Sequence, residues 1–161
     1  GKSSATIIYD STVDEFTGDG FFAKVKGREN IAVITTTSDG DVFGGYYTVP
    51  ISKRGDPVND PTFFAFSFES HGRCASPQRF VLKNRWKGQF TVYIRDSRKE
   101  LFVEFWVSGQ GGFHLGSERI TTYQYDPSIV LKGLDNSTLT GNNHHPDSYC
   151  CNRILAVQMS E

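Results

Sequence analysis

Two runs of β-branched and aromatic residues, Ile31–Thr37 and Val42–Val49, flank the turn Ser38-Asp39-Gly40-Asp41. Such side chains favour a pleated strand, and an Asp-Gly pair supplies the positive φ of a tight reversal. An antiparallel hairpin is expected here, and runs of the same kind recur at similar intervals. They are Thr62–Phe68, Arg79–Leu82, Gly88–Ile94, Leu101–Val107, Phe113–Leu115, Arg119–Tyr125 and Arg153–Met159. Repeated short strands with few helices predict a mainly β, two-sheet antiparallel sandwich with minor α. Phe64, Phe66 and Phe68 fall on one strand face. Leu101-Phe-Val-Glu-Phe-Trp-Val107 is almost continuously apolar, as a central strand covered on both faces would be.

The clearest helix lies between Thr17, a capping residue, and Gly27, a terminator, with Phe21, Phe22 and Val25 on one side. Pro50–Pro61 and Asp126–Tyr149 lack periodicity and read as loops. With 161 residues and no repeat or composition break, the chain is expected to form one domain over 1–161. Its 13 Phe and 7 Tyr suit a core of large side chains.

Charge and cysteine usage narrow the function classes. The 17 Lys and Arg nearly balance 18 Asp and Glu, so a net charge of −1 creates no global field for nucleic acid or anionic lipid. No apolar run reaches the length of a membrane span, and the opening Gly1-Lys2-Ser3-Ser4 lacks a secretory h-region. Cys74 and the adjacent Cys150 and Cys151 do not suit a disulfide framework, which predicts a reducing, cytoplasmic setting. The Asn136-Ser137-Thr138 sequon matters only in a secreted chain.

Catalytic templates fit poorly. No Gly-x-Ser-x-Gly elbow occurs. Gly109-Gln110-Gly111-Gly112 lacks the Lys-Ser/Thr and helix start of a phosphate loop, and is expected to be a bulge or tight turn. The acid-base pair nearest to it is Glu118 with His114. Glu104, inside an apolar strand, is expected to pair with a cross-strand arginine. His144, His145, Cys150 and Cys151 gather metal-ligand types, but adjacent ligands seldom converge on one tetrahedral ion. No cofactor or metal is expected. Arg79, Lys83, Arg85 and Lys87, followed by Arg95, Arg98 and Lys99, interleave with Phe80, Trp86, Phe90 and Tyr93. This basic, aromatic stretch over 79–99 would serve nucleic-acid or acidic-protein binding, or is a set of solvated charges alternating with core aromatics.

Four segments, taken in order, resemble the TLDc domain of oxidation-resistance proteins. They are Thr6–Ser11 with the helix after it, Asp41-Val-Phe-Gly-Gly-Tyr46, Asp60–Phe68, and Gly109–Gly116 followed by Ser117-Glu118. The closing strand around Ile154–Gln158 matches the family's ending. The signature positions are Phe43, Gly44, Gly45, Gly109, Gly111, Gly112 and Glu118. The resemblance implies a β-sandwich that acts through protein contacts and has no established catalytic residues. It also implies a role in oxidative-stress protection and a partner such as a peripheral subunit of the vacuolar proton-pumping ATPase. Pro50–Asp60 and Asp126–Tyr149 depart from the better-known animal members.

Overall fold

A computed structural model describes residues 4–96, 100–107, 110–117, 122–141 and 147–161. Two antiparallel sheets face each other. The first holds β1 (Ser4–Asp10), β2 (Ile31–Thr37), β3 (Val42–Tyr47), β4 (Phe64–Glu69), β5 (Gln78–Val81) and the closing strand β11 (Cys151–Ser160), in the order β1-β11-β2-β3-β4-β5. The second holds β6 (Val92–Tyr93), β7 (Leu101–Val107), β8 (Gly111–Gly116), β9 (Thr122–Tyr125) and β10 (Asp147–Tyr149), in the order β10-β9-β8-β7-β6. Helix α1 is Gly18–Val25 and α2 is Pro127–Val130.

The expected hairpin is β2–β3, with Ile31 opposite Tyr47 and Thr36 opposite Val42. Thr17 caps α1, its hydroxyl accepting from the Gly20 amide at 3.1 Å. Phe21 and Val25 turn into the core, and Phe21 stacks on Phe102 of β7 with ring centroids 5.3 Å apart. Between the sheets, Phe43 meets Phe113 edge-to-face at 5.7 Å, and Phe63 stacks on Phe105 at 5.1 Å. A Cβ on Gly45 would lie 2.7 Å from the Phe105 ring, so the missing side chain is what lets that ring approach β3. Each such aromatic contributes about 1.5–3 kcal/mol by leaving water.

Three expectations need correction. Strand β7 has neighbours on both sides and is buried except at Trp106, yet it sits fourth of five rather than at the centre. The strand expected at Gly88–Ile94 shrinks to Val92–Tyr93, because Asn84–Trp86 forms a 3-10 turn and Val58 bonds to residues 91 and 92. The stretch Asp126–Tyr149 contains α2 and β10 and buries Leu131, Leu134 and Leu139. Elements of three or four residues are too short to display a period.

Candidate interaction surface

Inward residues of β2, β3 and β4 form the core, and the alternate residues form the outer face of the six-stranded sheet. Register sets these in rows. Val157, Ala32, Tyr46 and Phe64 lie side by side across four strands, and Leu155, Ile34, Gly44, Phe66 and Arg79 make the next row. A solvent-facing sheet is ordinarily polar, and this one is not.

Gly44 shapes the floor. A Cβ there would lie 1.9 Å from the Val33 carbonyl oxygen and 2.8 Å from the Phe66 ring. Phe66 settles over this gap and is buried, whereas Phe68 remains 45% exposed. Ring centroids of Tyr46 and Phe64 are 5.0 Å apart, and those of Phe66 and Phe68 are 4.9 Å apart. With Pro77, Val157 and Met159 these rings line an open groove of about 530 Å³. Burial pushes the Tyr46 phenol pKa upward, with the nearby Asp60 and Glu29 adding to it. The phenol stays neutral and donates to Asn30 Oδ1 at 3.2 Å. Among the described residues Arg79 is the single charged one in the lining, and its guanidinium lies 4.0 Å from the Phe64 centroid.

Two charged clusters lie elsewhere. Buried Asp41 accepts from Arg73 Nη2 at 2.5 Å and lies 2.8 Å from His71 Nδ1. Arg73 also donates to the carbonyls of Thr138 and Leu139 at 3.1 and 2.9 Å. One guanidinium thereby clamps the β2–β3 turn to the 138–141 segment. On β6–β8, buried Glu104 accepts from Arg95 Nε at 2.7 Å, the arginine pairing expected for it. His114 Nε2 stands 3.7 Å from Glu104, and its ring centroid is 5.2 Å from that of Trp106. Both arrangements neutralise a buried carboxylate.

The sequence-derived candidates fall in different places. Glu118, Gly109, His144, His145, Arg98 and Lys99 lie outside the described residues. His114 sits on β8, Cys150 is half-buried between β10 and β11, and Cys151 starts β11 fully buried. Cys74, Cys150 and Cys151 are all thiols. Among the described residues no three His, Cys, Asp or Glu side chains gather to hold a metal ion. Phe43 is a core residue, Gly44 faces the groove and Gly45 faces the second sheet. Gly111 opens β8 opposite Val107. Gly112 has φ +151°, and a Cβ there would meet the Phe105 carbonyl oxygen at 1.9 Å. Gly111 and Gly112 thus belong to strand β8, where the missing side chain of Gly112 allows the close backbone approach.

The basic stretch disperses. Arg79 lies on the groove, while Lys83 Nζ donates to the Ser128 carbonyl at 2.5 Å. Arg85 packs over the Trp86 ring, and Lys87 is exposed at the end of the 3-10 turn. Sequence reasoning placed the three phenylalanines of β4 on one face, but did not join Ala32, Ile34, Tyr46, Val157 and Met159 to them. The available signal was that Ile31–Ile34 and Phe63–Phe66 are apolar at both parities, which a strand with one wet face does not require.

Among the described residues no helix is long and apolar enough to cross a membrane. Comparison with curated proteins finds no match. The family model described as the TLDc domain matches residues 1–151, which takes in both sheets up to the start of β11. By that match, and by a two-sheet antiparallel sandwich in which Phe43-Gly44-Gly45 supplies core, groove floor and sheet contact in turn, the chain belongs to the TLDc domain family.

Proposed function

We propose that this chain is a cytoplasmic protein-interaction domain with no active site of its own, and that it makes its contacts through the outer face of the six-stranded sheet. The observation that carries this reading is the groove, where aromatic and aliphatic side chains face solvent and, among the described residues, Arg79 supplies the one charge. Among the described residues, two buried carboxylates are committed to ion pairs: Glu104 to Arg95, and Asp41 to Arg73 and His71. Family membership supports a role in protection from oxidative stress, in regulating the vacuolar proton-pumping ATPase through a peripheral subunit, or in both.

The test compares the wild-type protein with Phe68→Asp as bait in cell extract, quantifying the pump's peripheral subunits and other retained proteins. Phe68 is 45% exposed, so the substitution leaves the core intact. Retention at least 10-fold lower for the variant is expected, since a buried aspartate opposite an apolar partner is strongly unfavourable. Equal retention by both baits, or turnover of a substrate by the isolated domain, contradicts the reading.

A further inference from the structure

We infer that the groove receives an amphipathic α-helix of a partner protein, with its apolar stripe on Phe64, Phe66 and Phe68 and a carboxylate against Arg79. This rests on the interaction reading above and specifies its occupant.

The backbone of the occupant decides its conformation. The groove lies on a sheet face, where every strand amide and carbonyl points along the sheet and none points outward. An extended segment laid there would press its own amides and carbonyls onto an apolar floor with nothing to bond. A helix satisfies those groups internally and presents only side chains. Strand addition at the neighbouring edge is hindered, because the Val81 carbonyl accepts from Lys132 and the Lys83 amide donates to Val130 beside β5.

Charge decides the occupant's sign and excludes a second copy. Arg79 has no carboxylate partner among the described residues, and its guanidinium is held flat on Phe64 instead. A guanidinium fixed on an aromatic face at the rim of an apolar site is placed for an incoming carboxylate. A two-fold contact between two such faces would leave both guanidiniums without a carboxylate, since among the described residues neither lining holds an acid. An anionic membrane is not favoured either, since one arginine on a chain of net charge −1 is far from a polybasic patch.

The test is selection from a displayed library of 18-residue helices with apolar residues at i, i+3, i+4 and i+7 and randomised flanks. The expected winners carry Asp or Glu at one fixed position. They bind Arg79→Glu at least 10-fold more weakly than wild type, and Lys or Arg at that position recovers binding to Arg79→Glu. Arg79 and Phe68 are both exposed, so the Arg79→Glu and Phe68→Asp variants report on contact and not on folding. Winners with no fixed acid, or equal affinity for Arg79→Glu, overturn the inference. So does a wild-type dimer that Phe68→Asp dissociates in sedimentation, or Phe68-dependent binding to phosphatidylserine vesicles. If extract proteins are lost on Phe68→Asp but no acidic helix is selected, the occupant is wrong and the interaction surface stands. If neither assay responds to Phe68→Asp, the interaction surface itself is refuted.

Discussion

Replacing Arg73 by alanine should be among the most damaging single changes outside the aromatic core. Its guanidinium gives buried Asp41 a charge-assisted hydrogen bond of 2.5 Å and satisfies the carbonyls of Thr138 and Leu139. In the variant the Asp41 carboxylate keeps His71 Nδ1 as its side-chain partner while remaining almost fully out of water. Removing one partner of a buried ion pair costs 3–5 kcal/mol, and Arg73 is partly solvated, so the loss should be about 3 kcal/mol. For a domain of this size that lowers Tm by roughly 6–12 °C. Urea unfolding gives the free energy, and amide exchange reads the local effect. Amides at 138 and 141, bonded to Asp135 and Ser137 in the intact clamp, should exchange faster than those of β2 and β3. In an Asp41→Asn background the same substitution should cost at least 1.5 kcal/mol less, about the value of the charge-assisted bond it no longer removes. A loss under about 0.5 kcal/mol with unchanged exchange at 138–141 would refute the clamp.

Other consequences are equally specific. Gly112→Ala forces a Cβ to within 1.9 Å of the Phe105 carbonyl at φ +151°, and should destabilise by about 3 kcal/mol or abolish soluble expression. A melt within 2 °C of wild type would contradict that geometry. Hydrogen bonds from Arg153 hold the Asp10 carboxyl well below the usual carboxylate range. Its stabilising effect is therefore fully present above the unfolded value and is lost as pH falls through the folded one. Wild type should exceed Asp10→Asn in stability at neutral pH, with the gap closing as pH drops below about 4 in acid-unfolding curves. A gap independent of pH would show that the Asp10–Arg153 pair does not link β1 to β11.

The hairpin β2–β3 and helix α1 were legible because each carries its own local signals: Asp39-Gly40 for the turn, and Thr17 for the cap. Periodicity also marked β4 and β7 as strands. It did not show that β11 inserts between β1 and β2, since that pairing joins residues more than a hundred positions apart. Nor did it decide which side of β4 meets water. Ala65 and Ser67 turn inward while Phe64, Phe66 and Phe68 turn outward, the reverse of what hydrophobicity alone would assign. The inward side is small there because Phe63, Phe105 and Phe113 already fill the space between the sheets. Register therefore decided the groove, and register is a property of the whole sheet. The charge clusters were hidden for a similar reason. Arg73 and Asp41 stand 32 positions apart, and Glu104 showed its need for an arginine without revealing that Arg95 meets it.

The most direct test of the groove as the contact surface is a photo-crosslinking amino acid placed in turn at Phe68, Tyr46 and Trp106 in the full chain, followed by irradiation in cell extract. Phe68 and Tyr46 line the groove, whereas Trp106 lies on the second sheet. Adducts to the same protein from positions 68 and 46, with none from 106, are the predicted result. Adducts from position 106 with none from 68 and 46 would contradict the account and move the contact surface to the Glu104–His114 side of the sandwich.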